Sequence, residues 1–142
     1  VYEITPEMKE KLSDFEGGYS TEEETKETIG GTYKSTGYVM DTHTAVAAHV
    51  SRAYRDASKD QKKMLVASTA SPYKFARSVM TAIDEKYDEL EEFALIDELE
   101  KVSGVAIPNA IEEIRNAQIR HTKECDVDKM KETVKEILGV EE

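Results

Sequence analysis

Residues 68–75 read STASPYKF and place three hydroxyls, Ser68, Thr69 and Ser71, immediately before a proline. Where such a segment leads into a helix, the first-turn N–H groups have no partner within the helix and point toward the same space as the hydroxyls. That geometry suits a polar or anionic ligand, with Lys74 in the first turn as a point charge. The plainer reading of the same residues is an N-cap at Ser71, two small buried neighbours and a surface lysine. A second segment, DTHTAVA, residues 41–47, opens a helix with His43 two positions after Asp41. The pair could work as an oriented acid or base, or simply cap the helix. His121 and Cys125 would stand about 13 Å apart on a strand and lack a second ligand pair, so a metal site is not expected.

The elements that must hold these residues follow from caps and periodicity. Thr5, Pro6 and Glu7 begin a short helix that should stop at Gly17 and Gly18. Thr21 and Glu24 form a capping-box pattern, and Gly30 and Gly31 read as the terminator of a second short helix. Val46, Val50, Ala53, Tyr54 and Ala57 mark a third helix, capped by Asp41 or Thr42. MLVA, residues 64–67, reads as a buried strand, and STAS carries it directly into an amphipathic helix bearing Phe75, Val79 and Ile83. Leu95, Leu99 and Val102 mark a helix ending at Gly104, and Pro108 starts another with Ile111 and Ile114. IRHTKEC reads as an edge strand. Val127, Met130, Val134, Ile137 and Leu138 line one face of a last helix. The expected class is α/β, helix-rich, with few strands; two strands cannot complete a sheet, so either the chain is mostly helical with incidental extended segments or its strands pair with further chain.

The 142 residues fit one domain, and 39% hydrophobic content supplies a modest core. With 35% charged residues and a net charge of −11, nucleic acid and anionic membranes are poor partners. Nine of the carboxylates fall between Asp84 and Glu100 beside the single Lys86, and they read as a solvated helix face. The single Cys125 fits a reducing compartment, and no apolar run or signal-peptide pattern appears, so the expected location is cytoplasmic. The chain starts at Val1 without an initiator Met, which suggests truncation or processing.

DTHTAVA followed some twenty residues later by VASTASPYKFA resembles the C-terminal signature of threonine synthase, and similarity continues through DFEGGYSTEEET, ELEKVSGVAIP, RHTKEC and DKMKETVKE. The resemblance implies a partial fold-type-II pyridoxal-phosphate enzyme, similar to the tryptophan synthase β chain. Such enzymes convert O-phospho-L-homoserine and water to L-threonine and phosphate in threonine biosynthesis, a lyase reaction. It further implies that Thr69, with Ser68 adjacent, meets the pyridine nitrogen of pyridoxal 5′-phosphate. Ser71 and Lys74 become candidates for the substrate phosphate, and His43 for shaping the pocket.

No lysine here sits in the family's Schiff-base context, and the glycine-rich loop for the cofactor phosphate is missing. Residues 1–142 are therefore expected to be one compact C-terminal portion, inactive alone and partnered by the remainder of its own polypeptide. Two other readings stay open: a different fold-type-II lyase or dehydratase, and an acidic helical module that binds a partner protein and has a self-contained core.

Overall fold

The structure is a computed structural model, and it describes residues 3–140. Seven α-helices occur in it: α1 (Pro6–Lys11), α2 (Glu22–Thr36), α3 (Thr42–Ser58), α4 (Ala76–Ile83), α5 (Glu92–Ser103), α6 (Asn109–Arg115) and α7 (Met130–Leu138). Short 3-10 turns cover Pro72–Phe75, Glu85–Glu89 and Val127–Lys129. The chain divides into two compact units, Val1–Asn109 and Ala110–Glu142, where the sequence suggested one.

In the first unit, α1 starts at the Thr5 cap with Pro6 in its first turn, but it ends at Lys11, well before Gly17. Helix α2 carries the capping box as expected: Glu24 N donates to Thr21 Oγ1 at 3.2 Å, and Thr21 N donates to Glu24 Oε2 at 2.8 Å. Its end was misread. Gly30 and Gly31 lie inside the helix, which continues to Thr36 and stops at Gly37, whose φ of 74° is the left-handed conformation that glycine adopts without strain. Gly30 serves a crossing instead, because a Cβ there would sit 2.4 Å from the Ala82 carbonyl oxygen.

Helix α4 sits between α2 and α5, while α3 packs on α2. The core gathers Ile29 of α2, Ala45 of α3, Val79 and Met80 of α4, and Leu95 and Leu99 of α5, each 1% exposed or less. The face of α2 turned inward is largely threonine. Thr25, Thr28 and Thr32 are buried, and the hydroxyls of Thr25 and Thr28 donate to the carbonyls of Thr21 and Glu24 one turn back, at 2.8 and 2.7 Å. Arg77 fastens the acidic turn between α4 and α5: it donates to the Asp88 and Leu90 carbonyls at 2.6 and 2.8 Å and to Glu92 Oε1 at 2.7 Å.

Both expected strands are absent. Among the described residues there is no β-strand, and residues 63–69 are irregular. Leu65 is 99% exposed, so MLVA is not buried either. A strand exists only as a partner in a ladder, and among the described residues no backbone–backbone hydrogen bond reaches residues 60–70. The helix-rich part of the expected class is therefore what the fold retains.

The second unit holds most of α6, the 3-10 turn and α7. Its expected strand, IRHTKEC, is irregular and exposed. Lys123 Nζ pairs with Glu136 Oε2 at 3.0 Å, tying that stretch to α7. The apolar residues foreseen for the last helix are there, although Val127 belongs to the preceding turn, and Met130, Val134, Ile137 and Leu138 are each more than half exposed. Among the described residues no helix is long and apolar enough to cross a membrane, and no group of three or more His, Cys, Asp or Glu side chains could hold a metal ion.

Candidate functional site

Asp41 is the hub. It takes the N-cap position of α3 in extended backbone, and Oδ1 accepts from His43 N at 2.9 Å and Thr44 N at 3.1 Å. Oδ2 meets the Thr44 hydroxyl in a short hydrogen bond and accepts from Ser68 Oγ at 3.4 Å. The Thr44 and Ser68 hydroxyl oxygens are themselves hydrogen-bonded at 2.8 Å. Asp41 is 2% exposed. Burial pushes its carboxyl group up, but the hydrogen bonds from the Thr44 hydroxyl and from the Thr44 and His43 backbones, with the nearby His43 ring, outweigh that and hold it below its ordinary value.

The two segments singled out in the sequence therefore meet, and they meet through Thr44, which sequence reasoning passed over. A threonine three residues after an Asp cap, with a second hydroxyl-rich segment in the chain, is the signal that could have found it. Ser68 and Thr69, small residues that the plainer reading had buried, are both exposed at the end of the irregular stretch, because MLVA does not form a buried strand ahead of them. Among the described residues nothing takes up the Thr69 hydroxyl.

Ser71 does what the plainer reading foresaw. Its hydroxyl accepts from Tyr73 N at 3.3 Å and so caps the Pro72–Phe75 turn. That turn is pinned from below by Tyr73, which is 5% exposed and whose phenol donates to the Val105 carbonyl. Lys74 points outward, with Nζ 5.5 Å from the Phe75 ring. The same ring meets His43, at 5.6 Å between centroids and a 33° tilt. His43 Nδ1 stands 3.6 Å from Asp41 Oδ1 while the side chain stays 59% exposed. Phe75, not anticipated as a site residue, is thus in contact with both the imidazole and the ammonium.

His43 and Phe75 also form a wall of an open cleft of about 370 Å³, which Ser20, Glu22, Thr25, Thr42, Val46 and Ser78 complete. Ser68, Thr69, Ser71 and Lys74 are not part of that wall. The hydroxyl-bearing segment and the cleft are neighbours through His43 and Phe75, and they are separate surfaces.

A family model described as threonine synthase, C-terminal, matches residues 44–137, a span that contains Thr44 and the whole of STASPYKF. The chain belongs to the threonine synthase C-terminal family. Among its relatives, threonine synthase of Corynebacterium glutamicum is 34% identical over 102 residues, 71% of this chain and 20% of that protein. Threonine synthase-like 1 of Homo sapiens is 35% identical over 86 residues, 60% of this chain and 11% of that protein. The same-named protein of Mus musculus is 39% identical over 80 residues, 56% of this chain and 10% of that protein. The chain thus spans about a tenth to a fifth of the length of these curated relatives.

Proposed function

We propose that this chain forms the C-terminal part of a threonine synthase, a fold-type-II pyridoxal-phosphate lyase that acts on O-phospho-L-homoserine and water to give L-threonine and phosphate. The observation that carries the reading is the 2.8 Å contact between Thr44 and Ser68, which joins the two segments that carry the resemblance into one surface.

The residues present fit one edge of the cofactor. Thr69 offers an exposed, unengaged hydroxyl beside Ser68 at the end of a chain segment, a suitable partner for a pyridine nitrogen. Pyridoxal phosphate, when bound, supplies the electron sink that makes bonds at the substrate's α-carbon labile. A hydroxyl opposite the ring nitrogen, unlike a carboxylate, does not hold it protonated. Ser71 uses a lone pair for the Tyr73 N–H and keeps its own proton to donate to a phosphate oxygen. Lys74 adds positive charge nearby, and His43 packs against the Phe75 ring that Lys74 also meets. The covalent anchor and the cradle for the cofactor phosphate would come from the rest of the polypeptide, so the 142 residues alone are expected to be inactive.

That remainder is the partner most in keeping with residues 60–70. Met64, Leu65 and Val66 are 41, 99 and 40% exposed, with backbone groups free to enter a ladder. A self-contained partner-binding module would have buried this stretch in its own core. The net charge of −11 speaks against nucleic acid and anionic membranes, and the cytoplasm is the proposed location.

The test is phosphate release from O-phospho-L-homoserine by a polypeptide that carries this chain behind a cofactor-lysine domain, compared with the 142 residues alone. Turnover by the longer polypeptide, abolished by removing residues 41–75, is the expected result. Turnover by the short chain alone, with a lysine aldimine formed on added pyridoxal phosphate, would sink the reading.

A further inference from the structure

The proton count around Asp41 separates the roles of the two adjacent hydroxyls. Oδ1 already accepts two backbone N–H groups. An ionised carboxylate can only accept, so the close Thr44 hydroxyl must give its single proton to Oδ2. Thr44 then has no proton left for Ser68, and the 2.8 Å contact between their oxygens is made by the Ser68 proton. The alternative acceptor for that proton, Asp41 Oδ2 at 3.4 Å, lies on the same inner side. Either way the Ser68 proton is committed inward, and Ser68 shows only lone pairs to the exterior. Thr69 has no such engagement among the described residues.

We propose that Asp41 and Thr44 are positioning residues that order the hydroxyls of this segment, leaving Thr69 as the donor to a heteroaromatic nitrogen and Ser68 as an acceptor only. In its reference to the ring nitrogen this rests on the function proposed above, while the ordering itself does not depend on a cofactor. The arrangement explains how two neighbouring hydroxyls avoid competing for one nitrogen. It also makes the polarity of the site depend on a side chain that never touches the ligand.

The variant that tests it is Asp41→Asn. Asparagine is as good an N-cap as aspartate, so helix α3 keeps its start. Its amide, however, donates toward Thr44, which turns the hydroxyl chain around and frees the Ser68 proton to point outward.

Hydroxyl-proton exchange, measured by NMR on the 142-residue chain, reads the ordering directly. The Thr44 proton, bonded to a charged carboxylate, should exchange at least about tenfold more slowly than that of Thr69, and the Ser68 proton, bonded to a neutral hydroxyl, about fivefold more slowly. D41N should erase the difference for Ser68, and Thr44→Ser should restore nearly all of it relative to Thr44→Val. Equal exchange at Ser68 and Thr69 in the unaltered chain would overturn the proposal.

The second arm uses the longer polypeptide loaded with pyridoxal phosphate labelled with ¹⁵N in the ring. Thr69→Val should move the ring-nitrogen resonance and Ser68→Ala should not; in the D41N background Ser68→Ala should move it as well. A shift from Ser68→Ala without D41N would also overturn the proposal. Failure to take up pyridoxal phosphate would sink the proposed function instead, and the exchange arm would still decide the hydroxyl ordering.

Discussion

The backbone of Gly30 in α2 lies so close to the carbonyl of Ala82 in α4 that the missing side chain is what allows the two helices to cross: a Cβ on Gly30 would be 2.4 Å from the Ala82 oxygen. Gly31, its neighbour, has nothing within 4 Å of the same position. The two glycines are therefore physically unlike. Gly30→Ala should destabilise the chain by about 1–3 kcal/mol, because backbone must move to relieve the overlap. Gly31→Ala should stabilise it by about 0.5–1 kcal/mol through helix propensity and loss of freedom in the unfolded chain. Urea unfolding of the two single variants, followed by circular dichroism, checks both signs in one experiment.

Asp41 gives the fold an acid limit. Its carboxyl group is held below the ordinary value, so its contribution is fully present above the unfolded-state pKa and is lost as pH falls through the lower, folded one. Stability should therefore drop from roughly pH 4 downward. D41N removes this titration, and the gap between the two proteins in urea midpoint should narrow steadily with acidification over that window. A constant gap would mean that Asp41 titrates alike in both states.

The phenol of Tyr73 is the pin beneath the Pro72–Phe75 turn, reaching across to the Val105 carbonyl just past the end of α5. Tyr73→Phe keeps the ring and removes the bond. The loss should be about 1 kcal/mol, with faster amide exchange at Tyr73 and Lys74. Since the turn carries Ser71, the same variant should weaken phosphate recognition while leaving the Asp41–Thr44–Ser68 cluster intact.

Lys74 is proposed to meet a substrate phosphate as a point charge. In the longer polypeptide Lys74→Ala should raise the KM for O-phospho-L-homoserine about tenfold with kcat little changed, the signature of lost ground-state binding. Unchanged KM and kcat would remove Lys74 from the site. Inorganic phosphate as a competitive inhibitor should weaken in parallel.

How far these features could be read beforehand depends on how local their causes are. Caps are local, and the starts of α1 and α2 follow from Thr5 and Thr21 as expected, while the structure settles the α3 cap, left between Asp41 and Thr42, on Asp41. Periodicity placed α5 and the Val79 face of α4, but Pro72–Phe75 is a 3-10 turn ahead of α4, and Phe75, expected on the apolar stripe, is 42% exposed. Gly30 and Gly31 misled because a glycine can end a helix or admit a neighbour, and only the position of Ala82, some fifty residues on, decides between them. MLVA has the composition of a strand, but pairing is a property of two segments and one was in hand. At the site, STASPYKF and DTHTAVA were visible as hydroxyl-rich and capped segments. Thr44, three residues after the Asp41 cap, carried a local signal, but its contact with Ser68, 24 residues on, depends on how the chain folds back.

The threonine face of α2 bears on how this chain's interior should be counted. With their hydroxyls bonded to carbonyls one turn back, and that of Thr25 also to Ser20 Oγ at 3.0 Å, Thr25 and Thr28 are buried without a hydrogen bond to α3 or α4 among the described residues. A residue-by-residue hydrophobicity scale assigns such a helix to the water-facing layer, yet α2 is packed against both α3 and α4. Its oiliness is a product of conformation, present while the helix holds and gone when it frays, so the greasy surface that α2 lends to its neighbours is created by folding and not carried into it.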